Sequence, residues 1–434
     1  MISHPPLFSL RHESRRTRLA LLGLAAFVFL LGAAICLYYG DGFLLGSYAK
    51  LNNDDVKYIR SAEFLLNHGV LTYNSGDQPT VFIMPGLPVL LAMFRFFLDR
   101  SDAIMAFRLF QCALQAASVY LVFLLGRQFF SSRSAKIAAV LSTLYIPSYY
   151  ASGAILTESV FTFLLLLTTL FAVGAVRSNK LGLYLAVGIG WAAMTYLKPQ
   201  CLLYPAIIAI LWLMARYSWR QMARFAAVLA VTFCLLLSPW WVRNYHSFSK
   251  PILLTQSSGN PLLLGTFIYY GAPSAGFFKQ YPQYKDNLVS PSDEVNKETG
   301  LRIIRYGFTH EPLRYMSWYT VEKSWLLFWQ PFYWKEILGL PKLAVQIWHQ
   351  LYVVLGIGGV ILSLVRRKWK ALLPLFLTMG YFIGVYLPFV TFSRYGYPLM
   401  PFITLFAAYS LETIAHPLRM KLGLQRRSKS SATM

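Results

Sequence analysis

Two adjacent acidic residues have the type and position of candidate catalytic groups. Asp54 and Asp55 open the stretch NNDDVKYIRSAEFLLNHG, residues 52–69, which has the pattern of a helix. A carboxylate placed beside a substrate can take a proton from a nucleophile, so both residues are candidates for catalysis. The alternative is that both are N-terminal helix residues, where negative charge is favoured by the helix dipole. Spacing alone leaves both interpretations open.

Other charged residues fall at the ends of apolar runs instead of inside them. Glu158 lies at an apolar boundary in AILTESVF, and the cations in comparable positions are Arg108, Lys198, Arg243 and Arg394. Around one cavity, such cations would bind a phosphate while a carboxylate accepts a proton. The chemistry indicated is group transfer from a phosphorylated lipid. Interfacial snorkelling of each cation is the alternative. A divalent metal could bridge an Asp and the phosphate, but no His and Asp spacing requires one, and no metal ligand is assigned.

The composition places these residues in a membrane protein. Hydrophobic residues make up 56% of the 434-residue chain and charged residues only 13%, about half of the usual charged fraction of a soluble domain. Apolar runs of about 20 residues recur from end to end. We therefore expect a single all-α membrane domain over residues 1–434, with about ten transmembrane helices.

The basic clusters set the expected topology. They lie between apolar runs, at Arg11 to Arg18, Arg127 to Lys136, Arg177 to Lys180, Arg216 to Arg224, Arg366 to Lys370 and Arg419 to Lys429. If all are cytoplasmic, an even number of crossings separates each consecutive pair. The predicted spans are 19–39, 103–126, 136–153, 158–176, 181–197, 200–215, 224–242, 347–365, 371–390 and 396–415.

This topology leaves two outer segments, residues 40–102 and 243–346, each with juxtamembrane helices. Pro85 to Leu98 is too short to span, at about 21 Å of helix against about 30 Å of hydrocarbon, and is predicted to lie at the outer surface. In the second segment Ser290 is the predicted N-cap of a helix that runs to Phe308. Another helix is predicted from Pro312 to Phe328.

Several other functions are disfavoured. The net charge of +23 comes from clusters between apolar runs, whereas a nucleic-acid-binding protein gathers its cations on one soluble face. The four cysteines lie in apolar runs, with no CxxC spacing, and are expected to be free thiols. The run from Leu19 to Tyr39 is too long for the core of a signal peptide and is predicted to be the first span.

Seven short segments resemble the GT-C glycosyltransferases, in the order in which that superfamily has them. DDVKY (Asp54 to Tyr58), with Ala62 and Gly69, resembles the acidic opening of their first outer loop. MPGLP (Met84 to Pro88) resembles the segment that follows. The later segments are AFRL (106–109), LTES (156–159), YLKP (196–199), SPWWVRNY (238–245) and SRYGYPLMP (393–401). The nearest branch contains bacterial relatives of protein O-mannosyltransferases and of the lipid A aminoarabinose transferase.

The resemblance implies an enzyme that transfers one hexose or pentose, with inversion, from a polyprenyl-phosphate donor to a glycan, lipid or protein acceptor. The reaction would occur at the periplasmic or exterior face, most simply of a bacterial inner membrane. It implies Asp54 as the base, with Asp55 and Glu158 as further acidic catalytic positions and Tyr58 as a substrate-binding residue. Arg243, Lys198, Arg394 and Arg108 are the implied donor-phosphate ligands. The chain departs from the family at Lys198, where Arg is commoner, and at Leu87, where Tyr is frequent.

Two other classes of protein stay open at this point. A flippase or exporter of lipid-linked sugars would also place cations near a phosphate, but it has no need of the acidic DDxxY pattern on an outer loop. A membrane scaffold would leave the charged residues at the outer ends of the spans unexplained.

Overall fold

The computed structural model describes residues 6–421, with side chains to residue 415, and within these bounds it contains helices and loops but no strand. The side chains of the predicted C-terminal basic cluster, Arg419 to Lys429, lie outside the described residues. The all-α prediction is confirmed. The helices are α1 Arg15–Tyr39, α2 Asp54–His68, α3 Gly86–Phe97, α4 Arg100–Phe129, α5 Ser132–Leu144, α6 Pro147–Gly153, α7 Glu158–Ser178, α8 Leu181–Leu197, α9 Pro205–Met214, α10 Trp219–Phe248, α11 Gly259–Gly265, α12 Ala275–Gln280, α13 Asp293–His310, α14 Pro312–Ser317, α15 Lys323–Trp329, α16 Lys342–Val365, α17 Trp369–Tyr386, α18 Ser393–Gly396 and α19 Met400–Lys421.

Among the described residues, seven helical segments are long and apolar enough to cross a membrane. They are Arg15–Phe43, Arg100–Phe129, Glu158–Ser178, Trp219–Phe248, Lys342–Val365, Trp369–Tyr386 and Ser393–Ala415. Their outward faces expose large apolar side chains such as Leu30, Leu235 and Val354, each more than 60% accessible, as expected of a surface that contacts lipid. The chain is therefore a multi-pass membrane protein. Two more predicted spans correspond to the shorter apolar helices Leu181–Leu197 and Pro199–Met214, so the number of ten is not confirmed.

The predicted span 136–153 is formed by two helices, α5 and α6, because the helix is interrupted before Pro147. α5 ends at Leu144, Tyr145 is extended, and Pro147 begins α6. A proline inside a helix removes one backbone hydrogen bond and clashes with the preceding turn. The freed carbonyl of Thr143 accepts a hydrogen bond from the Tyr149 hydroxyl at 2.8 Å, which satisfies it in the absence of water.

Basic residues lie at one end of the helix bundle, and the two predicted outer segments, residues 40–102 and 243–346, lie at the other. At the first end, the Glu13 carboxylate lies 3.7 Å from Arg127 and 3.9 Å from Lys136. Two predicted cytoplasmic clusters therefore lie side by side. At the opposite end, α2 packs on α3 and α11 packs on α13.

The outer segments contain helices close to those predicted. The 12-residue helix α3 occupies the predicted surface stretch. α13 begins at Asp293, whose predecessor Ser292 is its N-cap, so the predicted N-cap at Ser290 is wrong by two residues. The Asp293 carboxylate instead accepts hydrogen bonds from the first backbone amides of α11, Gly259 and Asn260. The predicted helix 312–328 is present as α14, a π-helical turn and α15.

Candidate functional site

A cavity of about 340 Å³ lies where the ends of several helices meet the first of the two predicted outer segments, residues 40–102. Its walls combine acidic, basic, amide and aromatic side chains. The charged and polar residues that line it are Asp54, Tyr58, Tyr73, Thr157, Glu158, Lys198, Gln200, Thr255, Ser257, Asn260, Tyr386, Arg394 and Tyr395. Five of the eight residues proposed from the sequence therefore lie around one space.

Asp54 is the first residue of α2 and projects its carboxylate into this cavity. One oxygen accepts a hydrogen bond from Arg394 Nη1 at 2.8 Å, and the other accepts one from the Tyr73 hydroxyl at 2.7 Å. Burial favours the neutral acid and would raise the pKa of Asp54, but the Arg394 charge and the Tyr73 hydroxyl outweigh it, so the pKa lies below its ordinary value. Asp54 is held ionised.

A second ion pair lies in the cavity wall. Glu158 begins α7, and Lys198 follows α8 immediately before Pro199, which ends that helix. Lys198 Nζ is 2.9 Å from the Glu158 carboxylate, and both side chains are almost fully buried. The ammonium also lies 5.4 Å from the centre of the Tyr395 ring. Each of these two charges therefore has a partner of opposite sign within a desolvated site.

Tyrosine rings line the space between the charged groups. Tyr58 lies one helical turn after Asp54, with its ring 5.4 Å from that of Tyr73. Across the cavity, Tyr386 stacks on Tyr395 with the ring planes 3° apart. Burial is the main cause that raises the pKa of Tyr73, with added effects of Tyr58 and Asp54. Tyr73 therefore stays protonated and acts as a hydrogen-bond donor.

Asp55 and Arg108 do not line this cavity. Asp55 is buried and accepts hydrogen bonds from Gly46 N at 3.2 Å and from Leu45 N, which fixes the turn before α2. Neighbouring helical residues point about 100° apart, so Asp54 and Asp55 face different surroundings. Arg108 donates to the Gly153 carbonyl at 3.1 Å within the bundle.

Arg243 lies at a second, larger cavity. This space of about 630 Å³ is lined mostly by apolar side chains, among them Leu65, Leu90, Leu114, Phe163 and Trp240. The guanidinium of Arg243 donates to the carbonyls of Thr80 and Leu71, so it anchors the loop between α2 and α3. The apolar cavity and the polar cavity share Leu197 as a lining residue.

Sequence reasoning missed several aromatic and amide residues of the polar cavity. Tyr73 and Tyr386 carry no motif and no periodic signal, and each reaches the site only through tertiary packing. Tyr395 lies inside SRYGYPLMP, one of the resembling segments, and could have been named beside Arg394.

The donor groups around the polar cavity bear on whether it could hold a metal ion. Among the side chains that the structure describes, in residues 6–415, no three His, Cys, Asp or Glu groups form a cluster able to hold a metal ion. The two carboxylates of the polar cavity, Asp54 and Glu158, are each paired with a cation. These groups do not fit a metal site of their own.

Comparison with known proteins gives one family match and a set of similar folds. The model of the dolichyl-phosphate-mannose-protein mannosyltransferase family matches residues 84–242, less than half of the chain. No curated protein sequence matches. Archaeal oligosaccharyltransferase AglB from Archaeoglobus fulgidus, in complex with an inhibitory peptide and a dolichol-phosphate, is 14% identical with a TM-score of 0.54. The alignment covers 97% of this chain and 53% of that one.

Two other solved structures extend the comparison. The apo form of the Archaeoglobus fulgidus oligosaccharyltransferase is 15% identical, with a TM-score of 0.53, and covers 94% of this chain and 52% of its own. The structure of ArnT from Cupriavidus metallidurans bound to undecaprenyl phosphate is 13% identical, and the alignment covers 95% of this chain and 81% of the ArnT chain. Its TM-score of 0.40 is too low to support the fold assignment. The chain thus spans about half the length of the archaeal structures. It has the membrane fold of the GT-C glycosyltransferases, as the sequence resemblance predicts.

Proposed function

We propose that the protein is an inverting glycosyltransferase that moves a sugar from a polyprenyl-phosphate donor to an acceptor at the outer face of a membrane. The family match and the shared fold support lipid-linked glycosyl transfer in general. The observation that carries the proposal is the pairing of Asp54 with Arg394 inside a polar cavity that also contains Lys198. A carboxylate that can serve as the base and two cations that can bind a phosphate therefore lie around one space.

The proposed reaction is a single displacement at the anomeric carbon of the donor sugar. The acceptor oxygen or nitrogen forms a bond to that carbon as the bond from the carbon to the phosphate oxygen breaks. The leaving electron pair stays on the phosphate, which Arg394 and Lys198 stabilise. Asp54 takes the proton of the acceptor. Because the reaction is a single displacement, the configuration at the anomeric carbon is inverted.

The apolar cavity offers a place for the lipid chain of the donor. Its lining is mostly aliphatic and aromatic, and it meets the polar cavity at Leu197. A phosphate at this junction would direct an isoprenoid chain one way and the sugar the other. Arg243 positions the loop between α2 and α3, which lines both spaces, so we assign it a positioning role and not direct phosphate binding.

The sugar would stack on the tyrosine rings of the polar cavity. Tyr58, Tyr73, Tyr386 and Tyr395 present flat apolar faces beside hydroxyl groups, a combination that suits a sugar ring. The acceptor, whether a glycan, a lipid or a protein, would enter from the outer segments. A bacterial inner membrane with this site facing the periplasm is the proposed setting.

The proposal is tested with Asp54→Asn, which preserves shape and removes the base. Purified protein is incubated with radiolabelled undecaprenyl-phosphate-linked hexoses and pentoses and with extracted envelope acceptors, and released undecaprenyl phosphate is measured. General-base loss is expected to lower the rate by about 10²- to 10⁴-fold. Asp77→Asn removes an exposed carboxylate outside the cavity and should leave the rate unchanged.

Two results would contradict the proposal. Full activity of Asp54→Asn would remove the base, and Glu158 would be tested next. A donor that the wild-type protein translocates across vesicles without cleaving it would establish the flippase alternative instead.

A further inference from the structure

Aromatic rings hold Arg394 in place in addition to its ion partner. The carbon of its guanidinium lies 5.2 Å from the centre of the Tyr395 ring, 5.9 Å from that of Trp334 and 6.0 Å from that of Phe392. Cation–π contacts of this kind stabilise the charge and fix the plane of the group. Arg394 therefore does not need Asp54 in order to stay at the cavity.

Only part of the Arg394 guanidinium is used by Asp54. Nη1 donates to the carboxylate at 2.8 Å, and Nη2 has a long contact of 3.4 Å with the Tyr395 hydroxyl. Nε is buried and has no hydrogen-bond partner among the side chains described, those of residues 6–415. Nε and Nη2 form one edge of the guanidinium with two parallel donors, a geometry that matches two oxygens of a phosphate.

We infer that Arg394 is shared between Asp54 and the donor phosphate, so that Asp54 becomes an effective base only after the lipid-linked donor has bound. This inference rests on the proposed function and describes how the same site is regulated. In the donor-free protein each oxygen of Asp54 has a partner, Arg394 on one side and Tyr73 on the other. A phosphate on the second edge of Arg394 draws the guanidinium charge away from the carboxylate.

The electrostatics of the site agree with this order of events. The Arg394 charge is the largest effect that lowers the pKa of Asp54. A phosphate anion neutralises that charge and repels the carboxylate, so donor binding raises the pKa of Asp54. The other titratable or charged groups that face Asp54 are Tyr73, Lys57, Tyr58, Tyr395 and, across the cavity, the paired Lys198 and Glu158. Tyr73 keeps the carboxylate in place when its bond to Arg394 weakens.

The first test measures binding without catalysis. The affinity of undecaprenyl phosphate is measured for the full chain in detergent, for Asp54→Asn and for Asp77→Asn. Because Asp54 competes for Arg394 and repels the phosphate, Asp54→Asn should bind on the order of tenfold more tightly than wild type. Asp77→Asn, which makes the same change in net charge, should bind as wild type does.

The outcomes separate the inference from the function on which it rests. If Asp54→Asn binds no more tightly than a wild-type protein that binds and transfers, the sharing of Arg394 is wrong and the proposed function stands. If wild-type protein neither binds undecaprenyl phosphate nor releases it from donors, the proposed function fails first.

A second test uses only wild-type protein and so does not depend on the folding of a variant. The pH dependence of kcat/KM for the donor reports groups of the free protein, and that of kcat/KM for the acceptor at saturating donor reports groups of the donor complex. The acid limb should lie at least one pH unit higher in the donor complex. Equal acid limbs would overturn the inference.

Discussion

At the scale of single residues, neighbours of one type have different roles because their surroundings differ. Asp54 and Asp55 are equivalent in the sequence, yet one faces Arg394 in the polar cavity and the other binds the backbone amides of residues 45 and 46. The sequence indicates where charges lie relative to apolar runs, which suffices to propose Asp54, Glu158, Lys198 and Arg394. It carries no signal for a contact such as that of Tyr73 with Asp54.

The Tyr73 hydroxyl provides a prediction at this scale. Tyr73→Phe removes the hydrogen bond that holds the Asp54 carboxylate in position. Because a reacting group misplaced by about 1 Å can cost on the order of 10²-fold in rate, transfer should fall by about tenfold or more. Since Tyr73 lowers the pKa of Asp54, its loss raises that pKa, and the acid limb of the pH–rate profile moves to higher pH. Steady-state kinetics from pH 4 to 8 would measure both effects.

The matched control is Tyr245→Phe, which removes a hydroxyl from an exposed side chain outside the polar cavity. It should change neither the rate nor the profile. Tyr73→Phe with an unchanged acid limb would show that Tyr73 only fills space beside Asp54.

At the scale of elements, the sequence predicts helices well where a local rule decides and poorly where a distant partner does. Apolar periodicity locates the long helices, and Pro312 correctly marks a helix start. The break before Pro147 could have been inferred from proline chemistry alone. The start of α13 could not have been inferred from the local sequence. The carboxylate of Asp293 accepts hydrogen bonds from the amides of α11, more than 30 residues earlier in the chain.

Lys323 links two elements and provides a prediction about stability. It is fully buried in α15 and donates hydrogen bonds to the carbonyls of Leu387 and Phe389, in the loop that leads to Arg394. Burial lowers the pKa of Lys323 to about 7. Its ordinary value is about 10.4, so between pH 7 and pH 10 the unfolded chain binds the proton more tightly. The free energy of unfolding therefore rises with pH between pH 7 and pH 10, by at most about 1.4 kcal/mol per pH unit. Below pH 7 the contribution of Lys323 to this free energy does not change with pH.

Thermal unfolding in detergent at pH 7 and pH 9 checks this expectation. Lys323→Met should lose the pH-dependent part of the stability that wild type shows, whatever its absolute melting temperature. Lys285→Met, at an exposed lysine, should keep the wild-type slope. An identical slope in Lys323→Met and wild type would mean that the buried lysine titrates as an ordinary one.

At the scale of the whole molecule, the sequence determines the membrane class and the order of the elements, but not the number of crossings. Composition and the basic clusters suffice to predict the membrane class and the order of the elements. The number of crossings depends on short apolar helices such as Leu181–Leu197, whose length is near the limit for spanning a bilayer. The meeting of the outer helix ends in one polar cavity is a consequence of packing, for which the sequence gives only the positions of the charges.

The orientation of the bundle is the prediction that belongs to this scale. Residues 40–102 and 243–346 should lie outside, because the basic clusters then all face the cytoplasm. Ser75 and Ser292 are exposed in these segments, and Lys180 is exposed at the opposite end of the bundle, between α7 and α8. Cysteines introduced at 75 and 292 should react with a membrane-impermeant maleimide in intact cells, and a cysteine at 180 only after permeabilisation.

Cys36, Cys112 and Cys201 are buried and Cys234 lies in a span, so background labelling should be low. Labelling of position 180 alone in intact cells would reverse the orientation and place the polar cavity in the cytoplasm, where a donor presented at the outer face could not reach it.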